Sequence, residues 1–446
     1  MATPVPKAVP IDPIASPLQE KEFTAAYLQG WFSVLRDAGP EAWGKRLIDR
    51  SIGPQDQRGY LVNAFGEPVG ALTFSASRDV VPTLVATPTV RTLDHLLQLH
   101  ARVEAGEQLT LDESRELLGQ AGTGGARPKS TVEDGGKLYL CKGVSINDKA
   151  DLAPVPIVEA ALLSLASELD IQAPAGRIIA VGGQPVPMVS RFDRETVPGG
   201  FARWRYASGQ TLFWSMPEVA QWSHQGSYNG LARHLVRWER TPREDIRELY
   251  RRIVFNALVG NLDDHDKNHG LVAAADGNFR LTPVFDLSMT STAGAHHSLA
   301  MAFGQDGAVI TLNNLLSDCT DFDYARTGAL AVIGAQWEHL QQHLLERLVH
   351  FGCDERRAQR TLALMPGHPW KKISGFNLSA SNAWPARRRL LHPERLAGIE
   401  CGAPQRFQRR GGAPRRRWLG LSEPNVASIL SASGLAGLSR SAAMMS

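Results

Sequence analysis

A chain of 446 residues with 43% hydrophobic and 21% charged side chains holds enough apolar material for two or three cores, which excludes a wholly disordered polypeptide. It has no run of about 18 apolar residues, which excludes a membrane-spanning helix. Its four cysteines (Cys141, Cys319, Cys353, Cys401) form no C-x-x-C, which argues against a disulfide framework or zinc ribbon and for a reducing cytoplasm. The net charge of +3 conceals an asymmetry: residues 385–417 carry ten arginines and two glutamates, a local +8, so the rest of the chain is at −5.

The first 20 residues are proline-rich and read as irregular. Residues 21–50 read as helical, with EAWGKRLIDR as the second helix, and GYLVNAFGEPVGALTF as two strands around a Gly-Glu-Pro turn. VRTLDHLLQLHARVEAGE has helical spacing. From residue 119, GQAGTGGARPKSTV is too glycine-rich for the interior of a helix or strand. EDGG then sets a turn before KLYLCKG, an alternating strand with Leu138, Leu140 and Lys142 on one face. PIVEAALLSLASELDI is a helix opened by proline, with Glu159 in its first turn. GRIIAVGGQPVPMVSRFDR reads as a hairpin across Gly182–Gly183.

The second half reads as mainly helical. In REDIRELYRRIVFNALVGN the residues Ile246, Leu249, Ile253, Val254, Ala257 and Leu258 follow the 3.6-residue period. This helix runs into GNLDDHDKNHG, residues 260–270. HGLVAAADGNFRLTPVFD follows as two strands joined at Asp276–Gly277 and ending at Asp286. FDYARTGALAVIGAQWEHLQQHLLERLVHFG is helical again, and past residue 376 the periodicity fades into an arginine-rich tail.

GNLDDHDKNHG could be a solvated loop, a metal site or the catalytic loop of a phosphotransferase. His265 and His269 are four apart, but the glutamate of H-E-x-x-H is missing and Gly270 ends any helix, which disfavours zinc. Phosphoryl transfer needs cations around the phosphates, oxygen ligands for magnesium and an acceptor for a hydroxyl proton. Asp263 and Asn268 have the D-x-x-x-x-N spacing that presents a base and, one turn later, a metal-binding amide, and Asp286 adds a carboxylate beyond the hairpin. Lys142 supplies a cation, with Glu159 to orient it. Taken singly these residues read more blandly: Lys142 as a surface lysine, Glu159 as a charge favoured by the helix dipole, GTGGARPKS as a flexible loop. Their order along the chain is what carries the chemistry. In this reading Asp264 and Asp266 face solvent, and the two histidines scaffold the loop.

With LRDAGPEAWGKR, GGARPK, SRFDR, GNLDDHDKNHG and LTPVFDLS in place, residues 10–375 resemble the HipA family of bacterial serine/threonine kinase toxins. The resemblance implies an α+β, two-lobed, protein-kinase-like fold. It implies a sheet-containing lobe over 96–192 and a helical lobe over 193–375; the chain departs from the family in a shortened N-terminal subdomain over residues 1–95 and in an arginine-rich tail over 376–446 that reads as disordered. Asp263 would be the catalytic base, with His265 and Lys267 shaping its loop, and Asn268 and Asp286 the magnesium ligands. Lys142 would contact the ATP phosphates with Glu159 as its partner, and Gly124 and Gly125 would close over the nucleotide. Arg191, Phe192 and Asp193 would lie near the hinge that receives adenine. Several family members autophosphorylate a loop serine, for which Thr123 and then Ser130 are the nearest hydroxyls here.

Family members phosphorylate aminoacyl-tRNA synthetases or similar targets, halting translation and promoting persistence. A small helix-turn-helix, HipB-like antitoxin that binds DNA neutralises them, so DNA would be met only through that partner, and no membrane is implied. Two other readings stand beside this one: a truncated or degenerate non-catalytic relative that serves as an antitoxin-binding scaffold, and a lipid or small-molecule kinase.

Overall fold

The computed structural model describes residues 10–363 apart from 18, 26–27, 78, 81–84, 123, 216–225, 240–241, 274–276 and 291–296. The helices Ser33–Asp37 (α1), Ala42–Ile52 (α2) and Gln57–Val62 (α3) come first. In α2 the residues Trp43, Leu47 and Ile48 recur on one face and are buried there. The expected strand pair at 59–74 is absent. Asp56 caps α3 by accepting the Gly59 N–H at 2.6 Å. Beyond it, the carbonyls of Glu67, Pro68 and Gly70 are held by the guanidinium groups of Arg191 and Arg194 and not by a strand ladder.

Leu93–Glu104 (α4) is the predicted helix. Leu111–Leu118 (α5) is started by a reciprocal Thr110–Glu113 capping box. A four-stranded antiparallel sheet follows, ordered β1-β2-β4-β3: Lys129–Asp134 (β1), Lys137–Lys142 (β2), Gly176–Val181 (β3) and Gln184–Ser190 (β4). The β3–β4 hairpin turns at Gly182–Gly183 as expected, with Val181 opposite Gln184. β1 corrects the expectation of a flexible stretch: glycine stops at residue 125, and Ser130, Thr131 and Val132 give the strand a buried run.

Between β2 and β3 lies Val155–Glu168 (α6), introduced by Pro154. Glu159 is buried one turn further in than its predicted first-turn place. A hairpin, Arg194–Val197 (β5) and Gly200–Arg203 (β6), leads to Arg205–Ser208 (β7). Then come Gly209–Trp214 (α7), Tyr228–Trp238 (α8) and Arg243–Val259 (α9). Gly270–Ala273 (β8) pairs with both β7 and Phe279–Leu281 (β9). The predicted hairpin is therefore present, but its second strand ends at Leu281, and Asp276 lies outside the described residues. Leu312–Ser317 (α10), Arg326–His350 (α11) and Glu355–Ala363 (α12) complete the helical part. The tail from residue 376 lies outside the described residues.

Two cores result. One, with Trp43, Leu96, Leu117, Val132 and Met188, sits between the sheet and α2, α4 and α5. The larger gathers α6 to α12 around Leu162, Leu249, Ile253, Leu316 and Leu348. Although α6 interrupts the sheet in sequence, its apolar residues belong to the larger core. Lys142 on β2 and Glu159 on α6 therefore join the two cores. Cys141, Cys319 and Cys353 are free and buried. No helix among the described residues is long and apolar enough to cross a membrane.

Candidate active site

Lys142 Nζ lies 2.8 Å from Glu159 Oε1, 2.7 Å from Glu159 Oε2 and 2.8 Å from Asp286 Oδ1. The Asp286 N–H closes the triangle by donating to Glu159 Oε1 at 3.1 Å. Burial disfavours the ammonium charge of Lys142, but Asp286 and then Glu159 outweigh it and hold the group well above its ordinary value. Reciprocally, Lys142 holds the Asp286 carboxyl far below the usual carboxylate range. The Asp286 side chain is 51% exposed against 9% for Glu159, so the aspartate faces the cleft and the glutamate anchors the lysine from behind. Asp286 also adopts a left-handed backbone at φ 58°, a strained conformation that proteins keep where the position matters.

The loop 260–269 is positioned by the end of α9. Gly260 caps that helix at φ 72°, where an L side chain would be strained. Asn261 donates to Asn256 Oδ1 at 3.1 Å and accepts from Ser288 at 2.9 Å, which ties the loop to the segment carrying Asp286. Within the loop, Asp263 is exposed, and its backbone carbonyl accepts from the His265 N–H at 2.9 Å and the Asn268 amide at 3.2 Å. That bond occupies Nδ2 of Asn268 and leaves its oxygen as the side chain's acceptor. His265 faces Asp286 closely enough to help keep that carboxyl ionised.

Asp264 does not face solvent as expected; it is 1% exposed. It accepts from Tyr228, from Asn256 Nδ2 at 2.6 Å and from His269 Nε2 at 2.8 Å. Asp266 is buried as well. The alternation of charged residues in DDHDK gave no sign that one aspartate is the loop's internal anchor. Because Asp264→Ala leaves three buried donors unsatisfied, it is expected to cost about 3 kcal/mol, read as a lowered urea midpoint at unchanged slope.

The glycine-rich loop meets the loop 260–269 through a residue the sequence reading did not assign. Glu41, at the start of α2, accepts from Lys267 Nζ at 2.6 Å through Oε1 and from the Gly125 N–H through Oε2. The Trp43 N–H donates back to Gly125 O at 3.1 Å. Burial pushes the Glu41 carboxyl up, but Lys267 outweighs it and keeps it below its ordinary value. Lys129, the last residue of GGARPK, was also unassigned; it is buried beneath this loop. Both residues sit inside motifs that carried the resemblance, and that was the available signal.

Arg191 and Asp193 are not brought to the Lys142 cluster. They pair with each other at 2.7 Å, Asp193 also accepts from Gly70 N and Arg194, and the set clamps residues 67–70. Burial pushes Asp193 up, but Arg191 and Arg194 outweigh it and hold the carboxyl far below its usual range. Their charges are thus satisfied inside the protein. Phe192 stacks on Phe285 at 5.6 Å, next to Asp286, and supports that segment. Ser130 is fully buried, with its hydroxyl 3.4 Å from His100 Nε2. A phosphate there would require Ser130 first to leave the interior. Thr123 lies outside the described residues.

Among the described residues, no group of three His, Cys, Asp or Glu side chains could hold a metal ion. The donors on offer are hard oxygens, Asp286 and the amide of Asn268, a set that suits magnesium only when phosphate oxygens complete it. A sheet lobe and a helical lobe joined by a Lys–Glu–Asp triangle define a kinase-like α+β protein. A family model described as the HipA-like C-terminal domain matches residues 121–354, and the chain belongs to that HipA family. Its fold is similar to that of a chain from the Shewanella oneidensis MR-1 complex of the toxin–antitoxin system HipA, HipB and its operator DNA. That match has a TM-score of 0.57 and 17% identity, and covers 80% of this chain and 87% of that one. The Helicobacter pylori proinflammatory kinase CtkA is matched at TM-score 0.40 and 13% identity over 53% of this chain and 88% of that one, too weak to bear on the fold. Comparison with curated proteins gives no match.

Proposed function

We propose that this chain is a HipA-type toxin kinase that uses ATP and Mg²⁺ to phosphorylate a serine of a protein target. The observation that carries the reading is the contact of Lys142 with both Glu159, 17 residues on, and Asp286, 144 residues on, at the junction of the two cores. In this reading Lys142 holds the nucleotide phosphates, oriented by Glu159. Asp286 and the Asn268 oxygen hold magnesium, which supplies charge neutralisation of the phosphates when bound. The exposed Asp263 accepts the hydroxyl proton, and His265 and Lys267 keep its loop in place. Gly124 and Gly125 cover the nucleotide, while Arg191 and Asp193 act at a distance by fixing residues 67–70.

The division into a subdomain over 1–95 and lobes over 96–192 and 193–375 belongs to the same proposal. So do an aminoacyl-tRNA synthetase as target, arrest of translation with persistence as its outcome, a cytoplasmic setting and a HipB-like antitoxin as partner. The Shewanella neighbour is itself a complex with HipB and operator DNA, which supports the last of these.

The test is incubation of the purified chain with labelled ATP, Mg²⁺ and a panel of tRNA synthetases. Transfer to a synthetase serine, lost with EDTA, is expected. ATP binding without transfer to any protein, lipid or small acceptor would instead favour the non-catalytic scaffold.

A further inference from the structure

Asp37, the last residue of α1, lies four positions before Glu41 in LRDAGPEAWGKR. Its Oδ2 accepts from the Ser208 N–H and from the Thr211 hydroxyl, both at 2.7 Å, and its Oδ1 accepts from the Ser208 hydroxyl at 2.7 Å. Ser208 is 2% exposed and Thr211 0%, so the donors on that side are shielded from water. Ser208 ends β7 and is the N-cap of α7, where its hydroxyl also accepts from the Thr211 N–H at 3.1 Å. One carboxylate on α1 thus fixes the whole first turn of α7.

That turn lies against the loop 260–269. The Gly209 N–H donates to His269 O at 2.7 Å. A Cβ built on Gly209 would overlap Asp266 O, so the two backbones touch and glycine is what lets them come this close. Ser208 also stands opposite Gly270 in the β7–β8 ladder, at the point where the loop ends. A second hold on the loop is the ion pair of Lys267 with Glu41. Asp37 and Glu41 therefore grip one loop at two points, the first through α7 and the second directly.

We propose that Asp37 is a positioning residue for the loop 260–269, holding it through the first turn of α7 so that Asp263, Lys267 and Asn268 stand in place at the cleft. The importance of this for phosphoryl transfer rests on reading that loop as catalytic; the hold itself can be measured without it. An amide of the same shape can serve all three partners. Its oxygen accepts from the Ser208 N–H and the Thr211 hydroxyl, and its NH₂ donates to the Ser208 hydroxyl. Alanine serves none of them.

Desolvation pushes the Asp37 carboxyl up to about 6, against the bonds from Ser208 and Thr211 and the charge of Lys267, so the assays are run above that value. The test compares the wild type with Asp37→Ala, Asp37→Asn and Thr211→Val in single-turnover transfer from labelled ATP and calorimetric Mg-ATP binding. Amide hydrogen exchange at Gly209 and Asn268 is followed in each. The Ala variant is expected to slow transfer by about ten- to a hundredfold, the cost of a small misplacement of reacting groups. Its ATP affinity should stay within twofold of wild type, and both amides should exchange faster. Asp37→Asn should recover most of the rate, and Thr211→Val, which removes one bond of three at unchanged shape, should lose less than Ala does. Transfer by the Ala variant at the parental rate, or a loss of ATP affinity as large as the loss of rate, overturns the proposal. If the Ala variant does not fold, Thr211→Val decides, and a parental rate or parental exchange in it overturns the proposal. A wild-type chain that transfers phosphate to no acceptor overturns the kinase reading. Exchange at the two amides then decides by itself whether Asp37 holds the loop.

Discussion

Asp263→Asn is expected to lower phosphoryl transfer by about 10²–10⁴-fold, the range typical of a lost general base, while leaving ATP binding and the urea midpoint unchanged. The reason is local. The loop is held through the backbone carbonyl of Asp263 and through the neighbouring Asp264, and the exposed Asp263 carboxylate has no part in that support. An amide keeps the shape but cannot take a proton. Single-turnover transfer from labelled ATP, paired with calorimetric ATP binding, measures both halves. Transfer at the parental rate would remove Asp263 from the mechanism.

Lys142→Met is expected to disable transfer and also to destabilise the chain by about 3 kcal/mol, the lower end of what breaking a buried ion pair costs. Glu159, at 9% side-chain exposure, would be left as a buried carboxylate whose remaining hydrogen-bond donor among the described residues is the Asp286 N–H, while the half-exposed Asp286 can turn to water. The second change Glu159→Gln should therefore restore most of the lost stability and none of the transfer. Denaturation midpoints of the two single variants and the double variant isolate the coupling. A Lys142→Met chain as stable as the parent would mean that the lysine is not holding Glu159.

What could be read from the sequence followed from how local each signal is. The 3.6-residue pattern of α9 and the Gly182–Gly183 turn are set by residues within a few positions of one another, and both are where the sequence put them. The misreadings depend on distant partners. The segment around Glu67 alternates like a strand, but its carbonyls go to Arg191 and Arg194, more than a hundred residues away. Asp264 looks like its exposed neighbour until Tyr228 and Asn256 are brought to it by α8 and α9. Glu41 lies in LRDAGPEAWGKR, but its contacts appear only when α2 is laid against two loops from other parts of the chain.

That last contact couples the two loops. Because one carboxylate is shared between Gly125 and Lys267, neither loop can shift without releasing or straining the other, and α2 moves with both. By thermodynamic reciprocity, whatever favours one position of α2 must favour the matching state of the cleft, and an occupant of the cleft must bias α2 to the same extent. The helix α2 is thereby tied through one carboxylate to both loops of the proposed nucleotide site.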